Sequence, residues 1–136
     1  INNKRLALWN QYYSGLEDLQ KKGYLQLPYI PEECEHNAHM FYIKVKDLEE
    51  RTRLSSYLRE RGIYAVFHYV PLHSSAAGQT YGEFVGEDRY TTKESERLLR
   101  LPMFYALKPE LCDYIIECIR GYWTGNKTEQ RQGEMR

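Results

Sequence analysis

Hydrophobic and polar positions divide the chain into segments of different period. Over residues 2–21, Leu6, Trp9, Tyr13, Leu16 and Leu19 recur at helical spacing with polar residues between them, the mark of a helix with one buried stripe. Lys21 and Lys22 fall where cations suit a helix C-terminus, and Gly23 follows as a residue able to turn left-handed past the last turn. Residues 24–27 form a short strand candidate closed by Pro28 and Pro31. Over 38–46 the chain alternates: His39, Phe41, Ile43 and Val45 on one face, Met40, Tyr42, Lys44 and Lys46 on the other, which predicts a half-buried strand. Asp47 and Glu50 have capping-box spacing and open a helix to about Arg61, with Leu48, Leu54, Tyr57 and Leu58 as its apolar set and Gly62 as its terminator.

Residues 63–67 are apolar, β-branched or aromatic throughout and predict a strand covered on at least one face. Polar chemistry then arrives together in His68, Tyr69 and His73, while Pro71 bars continuation as a central strand. Residues 74–90 show little periodicity and read as a long loop, a feature compact domains seldom keep without a binding role. Thr91 or Thr92 is placed to cap a short helix through about Leu99, with Glu94 in position for a second capping box, and Leu101-Pro102-Met103-Phe104 ends it. Pro109 suits the first turn of a last helix, whose stripe reads Leu111, Ile115, Cys118 or Ile119, and Tyr122. From Gly125 to Arg136 the chain is polar and aperiodic, the pattern of a frayed tail. The order predicts an α+β fold: a small antiparallel or mixed sheet with helices packed on one face. The two main strands flank a helix, so they are either parallel neighbours or separated by another strand.

Composition narrows the class. At 136 residues the chain suits one domain, and its 19 basic and 19 acidic residues cancel without a basic run or an acidic tail, so nucleic acid is not an expected partner. No apolar run is long enough to span a bilayer and no signal peptide is present, so a cytoplasmic protein is expected, with no membrane partner. Three cysteines, Cys34, Cys112 and Cys118, read as reduced, buried thiols. The 13 tyrosines suit either an interface or a Tyr-rich core rim. The chain opens without an initiator Met, directly in a helical pattern, as expected for the interior of a longer protein.

Candidate chemistry centres on His68, Tyr69 and His73. A neutral imidazole and a phenol at a strand end offer donors and acceptors to sugar hydroxyls or phosphate oxygens. The competing reading has His68 capping backbone groups and His73 merely solvated. A metal site would require His36, His39, His68 and His73 to converge, yet no Cys has zinc-motif spacing and His39 falls on the apolar strand face, so none is expected. A Cys–His nucleophile pair is equally unsupported, because the cysteines of the last helix lie on or beside its packing stripe. Asp88-Arg89-Tyr90 suits either an anion contact through Arg89 or a surface ion pair. Glycine-rich phosphate loops, a Gly-x-Ser-x-Gly elbow and Cys-x-x-Cys are absent, so the chain has binding chemistry without a complete catalytic set.

Several stretches carry a resemblance. Arg5-Leu6-Ala7-Leu8-Trp9 with Tyr12-Tyr13, Asn37-Ala38-His39-Met40-Phe41-Tyr42-Ile43, Phe67-His68-Tyr69-Val70-Pro71-Leu72-His73, and the run from Gly86 to Pro102 resemble, in the same order, the C-terminal part of the DegT/DnrJ/EryC1/StrS sugar-nucleotide aminotransferases. The resemblance covers about residues 1–123. It implies a fold type I, pyridoxal-phosphate-dependent enzyme, homodimeric at full length, in which a large cofactor domain precedes a small C-terminal one. Residues 1–23 would then be the helix leading from the large domain, 24–123 the small domain, and 124–136 a tail. The Lys that forms the Schiff base would lie upstream of Ile1, so no catalytic and no cofactor-binding residue is assigned here and the chain alone is expected to be inactive. The implied reaction moves an amino group from glutamate to the 4-keto carbon of dTDP-4-keto-6-deoxy-glucose. His68 and Tyr69, with His73 less directly, would contact that dTDP-sugar. With the large domain gone, apolar surface is expected along the first helix, and self-association with it. The alternative is a free-standing α+β binding or assembly module with a Tyr-rich face.

Overall fold

The computed structural model describes residues 1–125. Helix α1 spans Asn2–Lys21, strand β1 Phe41–Lys44, helix α2 Leu48–Glu60, helix α3 Ala76–Tyr81, helix α4 Thr91–Arg97, strand β2 Leu98–Leu101 and helix α5 Pro109–Thr124. A single 3₁₀ turn, Leu72–Ser74, precedes α3. The architecture is a small mixed α+β domain with helices packed against a short antiparallel sheet, the expected class. The frayed tail expected beyond Gly125 lies outside the described residues; Gly125 itself closes α5 in the left-handed region at φ 59°.

The sheet is centred on a strand that periodicity does not reveal. The predicted helix through Leu99 ends at Arg97, and Leu98–Leu101 forms β2 instead, antiparallel to β1 with Phe41 opposite Leu101 and Ile43 opposite Leu99. Residues 63–67 are covered on one face, as expected, but form no full strand. They run extended and pair with β2 only at Val66 opposite Arg100; Ile63 and Ala65 are buried, whereas Tyr64, Val66 and Phe67 are exposed. The segment therefore lies on the far side of β2 from β1, so the two outer strands are separated by another strand rather than adjacent. Residues 24–27 contribute a single bridge, Gln26 opposite Lys44, on the other side of β1.

Side chains of α1, α2, α5 and the inner sheet face share one core. Tyr12, Leu16, Leu19, Phe41, Ile43, Leu54, Leu58, Leu99, Cys112 and Ile119 are almost fully excluded from water. Five predicted stripe positions are corrected. On α1 the buried face centres on Leu8, Trp9, Tyr12 and Leu16, with Leu6 and Tyr13 only partly buried. Leu48 and Leu111 are exposed, because each stands in the first turn of its helix, beyond the reach of the core. Cys118 is half-buried and yields its place to Ile116 and Ile119, and Cys34 is exposed rather than buried. His39 leaves the apolar face: Ala38 adopts a φ of 49°, which ends the strand alternation before Phe41 and turns His39 to solvent. The expected apolar exposure along α1 is also displaced. Apart from its cap Ile1, the exposed large apolar side chains lie on other segments, chiefly 64–72, 81–90 and 104–114.

Local chemistry explains the element ends. Asp47 accepts from the Glu50 amide at 2.9 Å while Glu50 accepts from the Lys46 amide at 3.1 Å, a reciprocal cap displaced by one residue from the ideal box. Gly23 and Gly62 take φ values of 78° and 75°, the conformation that ends α1 and α2 without a Cβ clash. The second capping box does not form. Asp88 accepts from the Thr92 amide at 3.3 Å, and Glu94 turns to Lys44 and Arg97 at 2.8 and 3.0 Å.

Candidate functional site

The three candidate residues follow the short end strand, outside the core. Antiparallel pairing puts Tyr42, Arg100 and Val66 side by side on the outer face of the sheet, opposite the face that carries Phe41, Ile43, Leu99 and Leu101. A depression of about 240 Å³ opens there, lined by His39, Met40, Tyr64, Val66, Arg100 and Met103 among others. Immediately after Phe67, the rings of His68 and Tyr69 meet edge to face with centres 4.2 Å apart.

Arg100 governs the electrostatics of this corner. Its guanidinium donates from Nη2 to the Phe67 carbonyl at 3.2 Å and sits 6.0 Å from the Tyr69 ring centre. Burial, the Arg100 charge and His39 together hold the His68 imidazole below the usual histidine range, so it is neutral at neutral pH. His68 Nδ1 and Arg100 Nε are both buried without a hydrogen-bond partner among the described residues. Unpaired buried polar atoms are costly, and a hydroxyl or phosphoryl oxygen of a ligand, or a water, can satisfy them. The structure thus gives no support to His68 as a cap of backbone groups through Nδ1.

His73 is held elsewhere. Its Nε2 lies 2.9 Å from Asp88 Oδ2 and 3.3 Å from Thr92 Oγ1, and its ring packs on Phe84 with centres 4.5 Å apart. The Thr92 hydroxyl donates to the same carboxylate oxygen at 2.5 Å. Hydrogen bonds from the Thr92 side chain and amide, with a smaller contribution from His73, outweigh the opposing desolvation and hold the Asp88 carboxyl below its ordinary range. His73 is therefore neither merely solvated nor joined to the His68–Tyr69 pair; it ties the 3₁₀ turn to the start of α4. Arg89 pairs with Glu87 at 2.8 Å on the open surface, the ordinary ion pair of its two readings.

Arg100 is the site residue that periodicity overlooks. Its signal is present in Leu98-Leu99-Arg100-Leu101-Pro102, where Leu99 and Leu101 alternate around a charge just before a proline, but Thr91 and the apolar run favour a longer helix. No lysine is buried among the described residues, and Lys44 and Lys4 are engaged by Glu94 at 2.8 Å and the Tyr105 ring at 4.7 Å. Desolvation is one route by which a Schiff-base lysine is activated, and the described lysines lack it.

The fold and this corner together define a small α+β domain that carries a histidine–tyrosine pair at the open end of its sheet. The model of the DegT/DnrJ/EryC1/StrS aminotransferase family matches residues 1–120, and the chain belongs to that family. Over 121 residues it is 32% identical to the 3-oxo-glucose-6-phosphate:glutamate aminotransferase of Bacillus subtilis (strain 168), covering 86% of this chain and 27% of the relative. It is 28% identical over 123 residues to the dTDP-3-amino-3,4,6-trideoxy-alpha-D-glucose transaminase of Micromonospora megalomicea subsp. nigra, covering 89% of this chain and 32% of the relative. Among solved structures, NtdA of Bacillus subtilis with bound PMP superposes with a TM-score of 0.73 at 31% identity, over 88% of this chain and 27% of that one. The chain thus spans about a third or less of the length of these relatives. No helix among the described residues is long and apolar enough to cross a membrane.

Proposed function

We propose that the chain is the small C-terminal domain of a pyridoxal-phosphate-dependent sugar-nucleotide aminotransferase and that it supplies one wall of the sugar-binding cleft. Residues 1–23 lead from a preceding large domain, which carries the cofactor, its lysine and the acid–base chemistry. Residues 24–123 form the small domain and 124–136 its tail. The amino group passes from glutamate to the 4-keto carbon of dTDP-4-keto-6-deoxy-glucose, giving dTDP-4-amino-4,6-dideoxygalactose, a product suited to enterobacterial common antigen synthesis. The full-length protein acts as a cytoplasmic homodimer.

One observation carries this reading within the family: His68 and Tyr69 sit ring against ring at the end of the sheet, with His68 Nδ1 buried and unpartnered among the described residues. A neutral imidazole and a phenol can hold sugar hydroxyls in a fixed orientation, and orientation of the keto carbon towards the incoming amine is where binding becomes rate. His73 acts one step back, by anchoring the following turn through Asp88 and Thr92.

The test uses the full-length protein that contains this domain. His68→Asn and Tyr69→Phe should each lower kcat/KM for the keto sugar nucleotide, and the double variant by on the order of 100-fold. His73→Asn should lower it less. Unchanged kcat/KM in the double variant removes the pair from the cleft. Equal turnover of keto sugars that differ in the position of the carbonyl would overturn the 4-keto assignment.

A further inference from the structure

We propose that Arg100 is a positioning residue for the sugar site: from the central strand it locks the segment that presents His68 and Tyr69, so that both rings meet substrate in one arrangement. The proposal rests on the reading that those two rings touch the sugar nucleotide.

The hold is concentrated on one residue. Among the described residues, the hydrogen bonds that tie 66–69 to the rest of the fold all end on Arg100: its amide donates to the Val66 carbonyl at 2.7 Å, its carbonyl accepts from the Val66 amide at 3.1 Å, and its guanidinium donates to the Phe67 carbonyl at 3.2 Å. The same guanidinium stands 6.0 Å from the centre of the Tyr69 ring, within range of a cation–π attraction. Apolar packing does not substitute for these contacts, since Val66, Phe67, Tyr69 and Val70 are each about half exposed or more. The remaining grip is Arg51, whose guanidinium lies 5.4 Å from the Phe67 ring centre. Remove the Arg100 side chain, and the Val66 bridge and the Arg51 contact on the Phe67 ring remain, while the hydrogen bond that fixes the Phe67 carbonyl and the contact on the Tyr69 ring are lost.

The charge of Arg100 also sets the state of His68. The groups that face this imidazole are Arg100 on β2, His39 on the segment before β1, and Tyr69 beside it in sequence. Burial is the largest cause of the lowered His68 pKa and Arg100 the next. Neutralising Arg100 should therefore raise the titration midpoint of His68 without restoring the full value of a free histidine. The midpoint reports the charge beside His68, whereas the Tyr69 ring signals report whether that ring is held.

Two measurements separate the proposal from the reading beneath it. In the 136-residue chain, the His68 and Tyr69 ring signals are followed by NMR across pH for the parent, Arg100→Gln and Arg100→Lys. In the full-length protein, KM and kcat for the sugar nucleotide are measured for the same changes and for His68→Asn. Arg100→Gln should raise the His68 midpoint, shift the Tyr69 ring signals and raise KM about tenfold with a smaller effect on kcat. Arg100→Lys keeps charge and stem, so the His68 midpoint should stay low while the Tyr69 signals still shift. If Arg100→Gln moves neither ring, Arg100 does not position the pair and the proposal is overturned. If His68→Asn raises KM but Arg100→Gln does not, the pair binds substrate without Arg100, which also overturns it. If both rings move in Arg100→Gln while His68→Asn leaves KM unchanged, the positioning of the rings by Arg100 is supported and the sugar-contact reading fails.

Discussion

Helices α1 and α5 and the segment between Ala65 and Leu99 are held by different means. The helices close on Tyr12, Leu16, Leu19, Cys112, Ile115, Ile116 and Ile119, all buried, and Arg120 fastens the pair at its edge with two bonds to Asp18 at 2.5 and 2.8 Å and one to the Gly15 carbonyl at 2.8 Å. Between Ala65 and Leu99 no residue is buried. That span keeps its shape by polar ties: His73 to Asp88, Asp88 to Thr92, Arg100 to Phe67, and Lys44 and Arg97 to Glu94. All three candidate site residues lie in it. Side chains spent on packing cannot also meet a ligand, so the surface that binds is drawn from the part of the chain left outside the core. The cost is local stability, because exposed hydrogen bonds open at lower free energy than a packed core does.

The sharpest way to break this contrast is to remove core volume. Leu16 is fully buried, and Leu16→Ala should destabilise the whole domain by about 2–5 kcal/mol, read as a shift in the denaturation midpoint. A loss near zero would mean that the α1–α5 contact is not the core.

A substitution in the other region should act locally. A Cβ on Gly78 would stand 1.7 Å from the backbone oxygen of Leu72, so Gly78→Ala cannot keep the packing of α3 against the 3₁₀ turn. Global unfolding should change by no more than about 0.5 kcal/mol, as for other sites outside the core. Proteolytic cleavage within residues 72–90 should accelerate severalfold. A large global loss with no change in cleavage would show that the two regions unfold as one.

Acid is the mildest probe. The His68 pKa is lowered in the folded state, so the unfolded chain takes up the proton first and the fold loses stability as pH falls below the ordinary histidine value of about 6.5. Carboxylates act in a lower window. Burial works to raise the Asp18 carboxyl, but the Arg120 hydrogen bonds and charge, with Lys22, outweigh it and hold the pKa low. Its contribution is present above the ordinary carboxylate range and is lost as pH falls through the lowered value. Hydrogen exchange should therefore loosen 66–70 in mildly acidic solution before the α1–α5 pair responds, and His68→Asn should flatten the first step alone. Loosening of both regions in a single step would contradict the assignment.

Much of the scaffold was legible in the chain because its causes are local. Asp47 and Glu50 cap a helix by spacing alone, Gly23 and Gly62 end helices because they lack a Cβ, and Phe41 and Ile43 alternate with Tyr42 and Lys44 because a strand has period two. His68 and Tyr69 stood out as polar residues clustered at an apolar end, and the order of matched stretches placed the chain in its family. The centre of the sheet was not legible in this way. Leu98–Leu101 is too short for its period to outweigh the helical residues before it, and it is a strand because β1 on one side and Val66 on the other satisfy its backbone.

The sequence alone therefore determined which segments could be helices, where they stop, and which residue types wait at the end of the third extended stretch. The tertiary structure decided which of them meet. It gave His73 to Asp88, turned His39 outward through Ala38, and brought Arg100, distant in sequence, against Phe67 and Tyr69. Local propensity acts through neighbours a few residues apart, whereas the state of His68 depends on burial and on a charge 32 positions further along the chain, which only the closed sheet places beside it.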